Sequence, residues 1–140
     1  MTVYADTSFL VSSYVKDGHS VRADELLKSK PRFWFTPLHR AEWAHAISQH
    51  TFQGIMPEAE ADELYRQLEA DKSDGLWVEC ELPEGVFELC TQLARRHGSK
   101  LGMRTLDSLH VACALELKSE RFWTFDERQA KLAKAAGLKV

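Results

Sequence analysis

Five short apolar runs punctuate the chain: Val3-Tyr4-Ala5, Phe33-Trp34-Phe35, Leu76-Trp77-Val78, Phe122-Trp123-Thr124-Phe125 and Leu138-Lys139-Val140. Each is three or four residues long and does not alternate with polar residues as a half-wet strand would. Such runs suit strands covered on both faces, as in a parallel sheet.

The segments between them repeat at helical spacing. Val86, Leu89, Cys90, Leu93 and Ala94 fall at i, i+3, i+4, i+7 and i+8, with Pro83 near the start and Gly98 just past the expected end. Ala61, Leu64, Tyr65 and Leu68 make a similar stripe after Pro57. Leu106, Leu109, Ala112, Cys113 and Leu117 make another, apolar over a wide arc, which predicts a central helix. Ala130, Ala133 and Ala136 line a last short helix that stops at Gly137. Two helices fit between Phe9 and Leu27, broken near Asp17 and Gly18. Alternation of strand and helix predicts an α/β domain of three layers, α/β/α, around a short-stranded parallel sheet. The 140 residues match the size of one domain, so residues 1–140 are expected to form a single unit.

Composition narrows the class. The chain is 44% apolar and 28% charged, an ordinary globular balance rather than a disordered one. No apolar run approaches the roughly 18 residues of a membrane span, and the N-terminus lacks the charged region of a signal peptide. Eighteen Lys and Arg against 21 Asp and Glu give a net charge of −3, so nucleic-acid binding requires a local basic patch. Three cysteines without a CxxC pair argue against a zinc or disulfide framework and for a reducing, cytosolic setting. Cys90 and Cys113 occupy apolar helical positions and read as small buried hydrophobes.

In open parallel sheets, ligands gather beyond the carboxyl ends of the strands. Asp6 follows the first run and Asp126 the fourth. Glu42 lies just inside the helix after the second run, and Asp107 in the first turn of the broad apolar helix. Each acid alone has a plainer role. Asp6 can cap the next helix, Asp126 with Gln129 fits a capping box, Asp107 complements a helix dipole, and Glu42 suits a solvated surface. Together, four converging carboxylates repel and require protons or a cation. Oxygen-only donors favour Mg²⁺ or Mn²⁺ over Zn²⁺, and such a site can activate water for in-line attack at phosphorus.

These motifs resemble a known family. Val3-Tyr4-Ala5-Asp6-Thr7-Ser8-Phe9-Leu10-Val11 resembles the opening of PIN-domain nucleases, in particular VapC-type toxins of bacterial toxin–antitoxin pairs. Arg40-Ala41-Glu42 resembles their second acidic motif, Arg104 to Leu115 the third, and Thr124-Phe125-Asp126 the fourth. The likeness runs in the expected order from residue 3 to residue 140. It implies an acidic quartet of Asp6, Glu42, Asp107 and Asp126 holding one or two divalent cations, with Asp6 and Asp107 as the most direct ligands and Ser8 in support. It further implies a PIN-like fold, an RNA substrate cleaved at phosphodiester bonds, a homodimer and a cognate antitoxin protein.

Arg95, Arg96, Lys100 and Arg104 read either as a solvated helix end or as a phosphate track leading to Asp107, with Arg104 nearest the acids. His110, on the broad apolar helix, reads as a hydrogen-bonded structural histidine, while His39 and His45 lie near Glu42. Three tryptophans fall on strand runs and read as core; Trp43, beside Glu42, is the one placed to meet a partner or a base. No glycine-rich phosphate loop is present, so no nucleotide cofactor is expected. Two rivals stand beside the nuclease. One is a non-cleaving RNA- or protein-binding module on the same fold. The other is a small-ester phosphatase, which would use a DxD pair that Asp6-Thr7-Ser8 does not supply.

Overall fold

A computed structural model describes residues 1–140. Four strands, β1 (Thr2–Ala5), β2 (Arg32–Phe35), β3 (Trp77–Glu79) and β4 (Arg121–Trp123), form one parallel sheet in the order β3-β2-β1-β4. Seven helices connect and follow them: α1 (Thr7–Ser12), α2 (Ser20–Leu27), α3 (Pro37–Phe52), α4 (Glu58–Ser73), α5 (Val86–Leu101), α6 (Thr105–Glu116) and α7 (Glu127–Ala135).

Side chains alternate across the strands and divide the core in two. Val3, Ala5, Phe33, Phe35, Trp77 and Trp123 face a cluster completed by α1, α2, α3 and α4. Tyr4 and Phe122 face the other, completed by α5, α6 and α7. Helices therefore cover both faces, the three-layer α/β/α arrangement expected from unalternating apolar runs. α6 is central as expected, with Leu109, Val111, Ala112, Cys113 and Ala114 all buried, although Leu106 is exposed.

The chain lays β1, β2 and β3 side by side in one direction, then returns across β1 to place β4 on its other flank. The order reverses between β1 and β4, which is where parallel sheets open a crevice at their carboxyl ends.

Several local expectations need correction. Leu138–Val140 is not a strand. The Leu138 N–H closes the end of α7 on the Ala133 carbonyl at 2.9 Å, and Gly137, at φ 96°, turns the chain away. Only the Lys139 carbonyl reaches the sheet, accepting from Phe122 N–H at 2.8 Å. α5 does not end at Gly98. It continues to Leu101 and stops at Gly102, whose φ of 65° is open to glycine, with its N–H on the Gly98 carbonyl. Packing of α5 on α6 and α7 outweighs the roughly 1 kcal/mol that an interior glycine costs. Strand β4 ends at Trp123, whose carbonyl accepts Asp6 N–H at the last rung before β1 gives way to α1. Trp43 is not free to meet a base: it is 1% exposed, edge-on to Tyr14 and Tyr65.

Phe33 anchors the first core, its ring stacked on Trp77 at 4.4 Å and within 5.8 Å of Phe9 and 5.5 Å of Trp123. Replacing Phe33 by Ala is expected to cost about 3–5 kcal/mol. Urea unfolding should show a lower midpoint with an unchanged slope.

Candidate active site at the carboxyl edge of the sheet

β1 and β4 end side by side, tied by Asp6 N–H on the Trp123 carbonyl at 3.1 Å. The Asp6 side chain caps α1, accepting from Phe9 N–H at 2.9 Å. The Ser8 hydroxyl lies 2.9 and 2.8 Å from its two oxygens, and the Thr124 hydroxyl lies 3.1 Å from Oδ2. Asp6 is only 7% exposed. Burial pushes its carboxyl above the usual range, against the opposing pull of Phe9 N–H, Ser8, His110 and Thr124.

Thr124 and Gln129 organise the neighbouring acids. The Thr124 hydroxyl accepts Asp126 N–H at 3.0 Å and meets Gln129 Oε1 at 2.6 Å. Asp126 caps α7 by accepting Gln129 N–H at 2.8 Å. The reciprocal half of the expected capping box is absent, because the Gln129 side chain turns instead to Thr124 and donates through Nε2 to the Asp107 carbonyl at 3.2 Å. One buried amide thus joins the starts of α6 and α7 to the end of β4. Removing it would leave the Asp107 carbonyl and the Thr124 hydroxyl each short of a partner.

Asp107 sits in the first turn of α6, its carboxylate 3.4 Å from Arg104 N and 3.5 Å from Arg104 Nε. Asp107 and Asp126 line one cleft of about 440 Å³ together with Gly102, Met103, Arg104, Glu127 and Arg128. Glu42 approaches from α3. Its Oε1 accepts from the Thr7 hydroxyl at 2.8 Å and meets His110 Nε2 at 2.5 Å. Burial alone would raise the Glu42 carboxyl, but the hydrogen bond and charge of His110, with Thr7, hold it below the usual range.

The four sequence-selected acids therefore stand in a graded arrangement. Asp107 and Asp126 share a cleft, Asp6 is linked to Asp126 through Thr124, and Glu42 is joined to Thr7, the residue after Asp6. No three His, Cys, Asp or Glu side chains stand together so as to hold an ion by themselves. That spacing still fits Mg²⁺ or Mn²⁺ chemistry. Mg²⁺ in particular takes one or two carboxylates and completes its shell with water and phosphate oxygens, needing no all-protein cage. The donor set is entirely hard oxygen.

Of the basic candidates, Arg104 lines the cleft. Arg95 and Arg104 line an adjoining hollow of about 300 Å³ with Cys90, Thr91 and Ser108. Arg96 and Lys100 are exposed on α5 and line neither. Arg128, which the sequence did not single out, faces the same cleft as Arg104.

Two histidines near Glu42 are accounted for structurally. His39 is fully buried; its Nε2–H donates to the Ala5 carbonyl at 2.7 Å and its Nδ1 accepts from Thr36 N–H at 3.0 Å. Burial, reinforced by His110, lowers it to about 3, so it stays neutral and pins α3 to the end of β1. His45 is exposed and donates to the Ala41 carbonyl. His110 is the hydrogen-bonded buried histidine expected, but its bond to Glu42 has no signal in the sequence. The same holds for the roles of Thr7, Thr124 and Gln129. Position i+3 from Asp126 marks Gln129 as a capping partner, whereas nothing in the sequence marks the long-range partners of its side chain.

A family model described as the PIN domain matches residues 3–135. None of the curated proteins compared matches the chain. Among solved structures, VapC20 from Mycobacterium tuberculosis, a sarcin–ricin-loop-cleaving toxin, is 17% identical with a TM-score of 0.69, covering 97% of this chain and 95% of that one. FitAcB from Neisseria gonorrhoeae is 16% identical with a TM-score of 0.72, over 99% of this chain and 95% of that one. VapBC2 from Rickettsia felis, bound to a DNA fragment from their promoter, is 15% identical with a TM-score of 0.66, over 99% and 96%. At these identities the likeness is one of fold.

The Asp6 environment carries a stability consequence with a definite sign. A carboxyl raised in the folded state takes up its proton first when folded, so its contribution to stability falls as pH rises between the unfolded and folded values. Asp6→Asn abolishes that term. In chelator, the variant is expected to melt above the wild type at pH 7, with the difference shrinking towards pH 3. Melting curves across that range check it.

Proposed function

This chain belongs to the PIN domain family, and from that premise we propose that it is a divalent-metal-dependent endoribonuclease of the VapC type, the toxin of a toxin–antitoxin pair. The observation that carries the reading is the crevice where the strand order reverses. Asp107 and Asp126 line one cleft there, the Thr124 hydroxyl lies between the Asp6 carboxylate and the Asp126 backbone N–H, and Arg104 and Arg128 line the same cleft. The VapC20 toxin, which cleaves the sarcin–ricin loop, has a similar fold and supports RNA as the substrate class.

Asp6, Glu42, Asp107 and Asp126 are the residues that would hold the cation, which when bound supplies positive charge and acidifies a coordinated water. The chain's own contribution is positioning. Ser8, Phe9 N–H and Thr124 fix both oxygens of Asp6. Gln129 sets the spacing of Asp107 and Asp126. Arg104, the extended residue before α6, and Arg128, in the first turn of α7, are placed at the cleft to meet phosphate oxygens and offset charge gathered during displacement. Arg95, Arg96 and Lys100 continue the basic surface along α5. Because attack by water needs no ribose 2′-OH, preference for RNA rests on shape and backbone contacts.

A single domain of this kind, acting in the cytoplasm as a homodimer, would be restrained by an antitoxin that covers the acidic edge or places an arginine among the carboxylates. No helix of the chain is long and apolar enough to cross a membrane.

Incubation with total cellular RNA should yield discrete new ends with Mg²⁺ or Mn²⁺ and none in chelator. Those ends should carry 5′-phosphates; 2′,3′-cyclic phosphates would refute attack by water. Asp107→Asn should lose cleavage by about 100-fold or more while staying folded. Retained cleavage would remove the acidic cleft from the reaction, and RNA binding without cleavage by the wild type would favour the non-cleaving module. For the basic surface, replacing both Arg95 and Arg96 by Ala should reduce the log–log salt slope of RNA binding by about 0.7 for each phosphate that is no longer neutralised.

A further inference from the structure

The imidazole of His110 is 3% exposed and bonded at both nitrogens. Nε2 meets Glu42 Oε1, and Nδ1 meets the hydroxyl of Tyr4 at 2.8 Å. Tyr4 is fully buried in the second core, on the central strand. A carboxylate can only accept, so the Nε2 proton points to Glu42. In the neutral ring Nδ1 is then a lone pair, and the Tyr4 O–H donates to it. Glu42 selects this tautomer, the Tyr4 hydroxyl accommodates it, and the chain Tyr4–His110–Glu42 runs in one direction.

The Thr7 hydroxyl donates to the same oxygen of Glu42 at 2.8 Å. Oε1 thus receives two donors from the protein, whereas Oε2 receives none. The Glu42 side chain remains 27% exposed. A glutamate carries about 1.5–2 kcal/mol of rotamer entropy that must be surrendered when it is fixed. Here that entropy is removed before any ligand arrives, which lowers the cost of binding.

We propose that His110, assisted by Thr7, is a positioning residue for Glu42: the two donors hold the inner carboxylate oxygen and leave the outer one free for a divalent cation. This role rests on the metal-dependent reading of the site and adds a residue that the four acids and Ser8 do not include. It also explains a buried polar group on an otherwise apolar stretch of α6, where Leu109, Val111 and Ala112 are its neighbours. Outer-shell partners of this type typically contribute 10–100-fold to metal affinity.

Mn²⁺ titration of the full chain, followed by electron paramagnetic resonance of the free ion, provides a readout apart from turnover. His110→Leu is expected to weaken Mn²⁺ binding about 10–100-fold. His110→Gln, which retains an N–H donor, should recover most of that loss. In a Glu42→Gln background, His110→Leu should cost nothing further, because a residue that acts only through Glu42 shows full non-additivity. Equal losses in both backgrounds, or wild-type Mn²⁺ affinity in His110→Leu, would overturn the proposal. Should His110→Leu fail to fold, Thr7→Val tests the same clamp. It should weaken Mn²⁺ binding alone but not in Glu42→Gln, and wild-type affinity would again overturn the role. A wild type that neither binds Mn²⁺ nor cuts RNA overturns the metal reading and this role together. A wild type that does both, with variants that match it, overturns this role alone.

Discussion

Pairing of β1 with β4 is the constraint on which the candidate site depends. Val3, Tyr4 and Ala5 lie in register with Arg121, Phe122 and Trp123, strands more than a hundred residues apart in sequence. This pairing puts the ends of β1 and β4 at one point on the sheet edge; β1 runs directly into a helix capped by Asp6, and β4, two residues on, into one capped by Asp126. Asp6 and Asp126 therefore become neighbours because of sheet topology, with no affinity between the carboxylates themselves. Like charges at such an edge oppose assembly. The opposing free energy comes from apolar burial on both faces of the sheet, and from caps that use the same carboxylates to satisfy helix N–H groups.

Capping and candidate chemistry are thus one arrangement here. A capping aspartate accepts N–H donors of the first helical turn, which fixes its carboxylate before anything binds. Asp6 caps α1 as read from the sequence, Asp126 caps α7 without the reciprocal Gln129 half of the box, and these caps are also the means by which the two side chains are aimed. Gln129 extends the principle. Its backbone N–H serves the Asp126 cap, while its side chain reaches the Asp107 carbonyl and the Thr124 hydroxyl.

The layers, the parallel sheet and the helix starts were legible because burial on both faces leaves a direct mark on residue choice. Phe33-Trp34-Phe35 has no polar alternation, and both of its faces are covered. Helix ends were less legible. The apolar stripe and Gly98 predict an end near residue 98, whereas packing against α6 carries α5 on to Leu101 and Gly102. Leu138–Val140 looks like a strand because its apolar spacing serves the end of α7 instead. The acids were legible as residues following strands. Their side-chain partners were not, since Thr7, Thr124 and His110 are assigned by contacts across the fold that no local pattern encodes.

Two of the acids are held in opposite electrostatic senses. Asp6 is buried among neutral donors, and burial wins, so ionising it works against folding. Glu42 stands beside an imidazole, and its carboxyl is held down, so its stabilisation is present above the unfolded value and lost as pH falls through the folded one. Carboxylates pushed apart in this way take on different tasks within one site. A positive charge arriving beside Asp6 would offset the burial penalty on its ionised form. Glu42 is already compensated from within, and its inner oxygen is already engaged by protein donors. The fold thus leaves its uncompensated negative charge at the carboxyl ends of β1 and β4, in the crevice that the strand order opens to ligands.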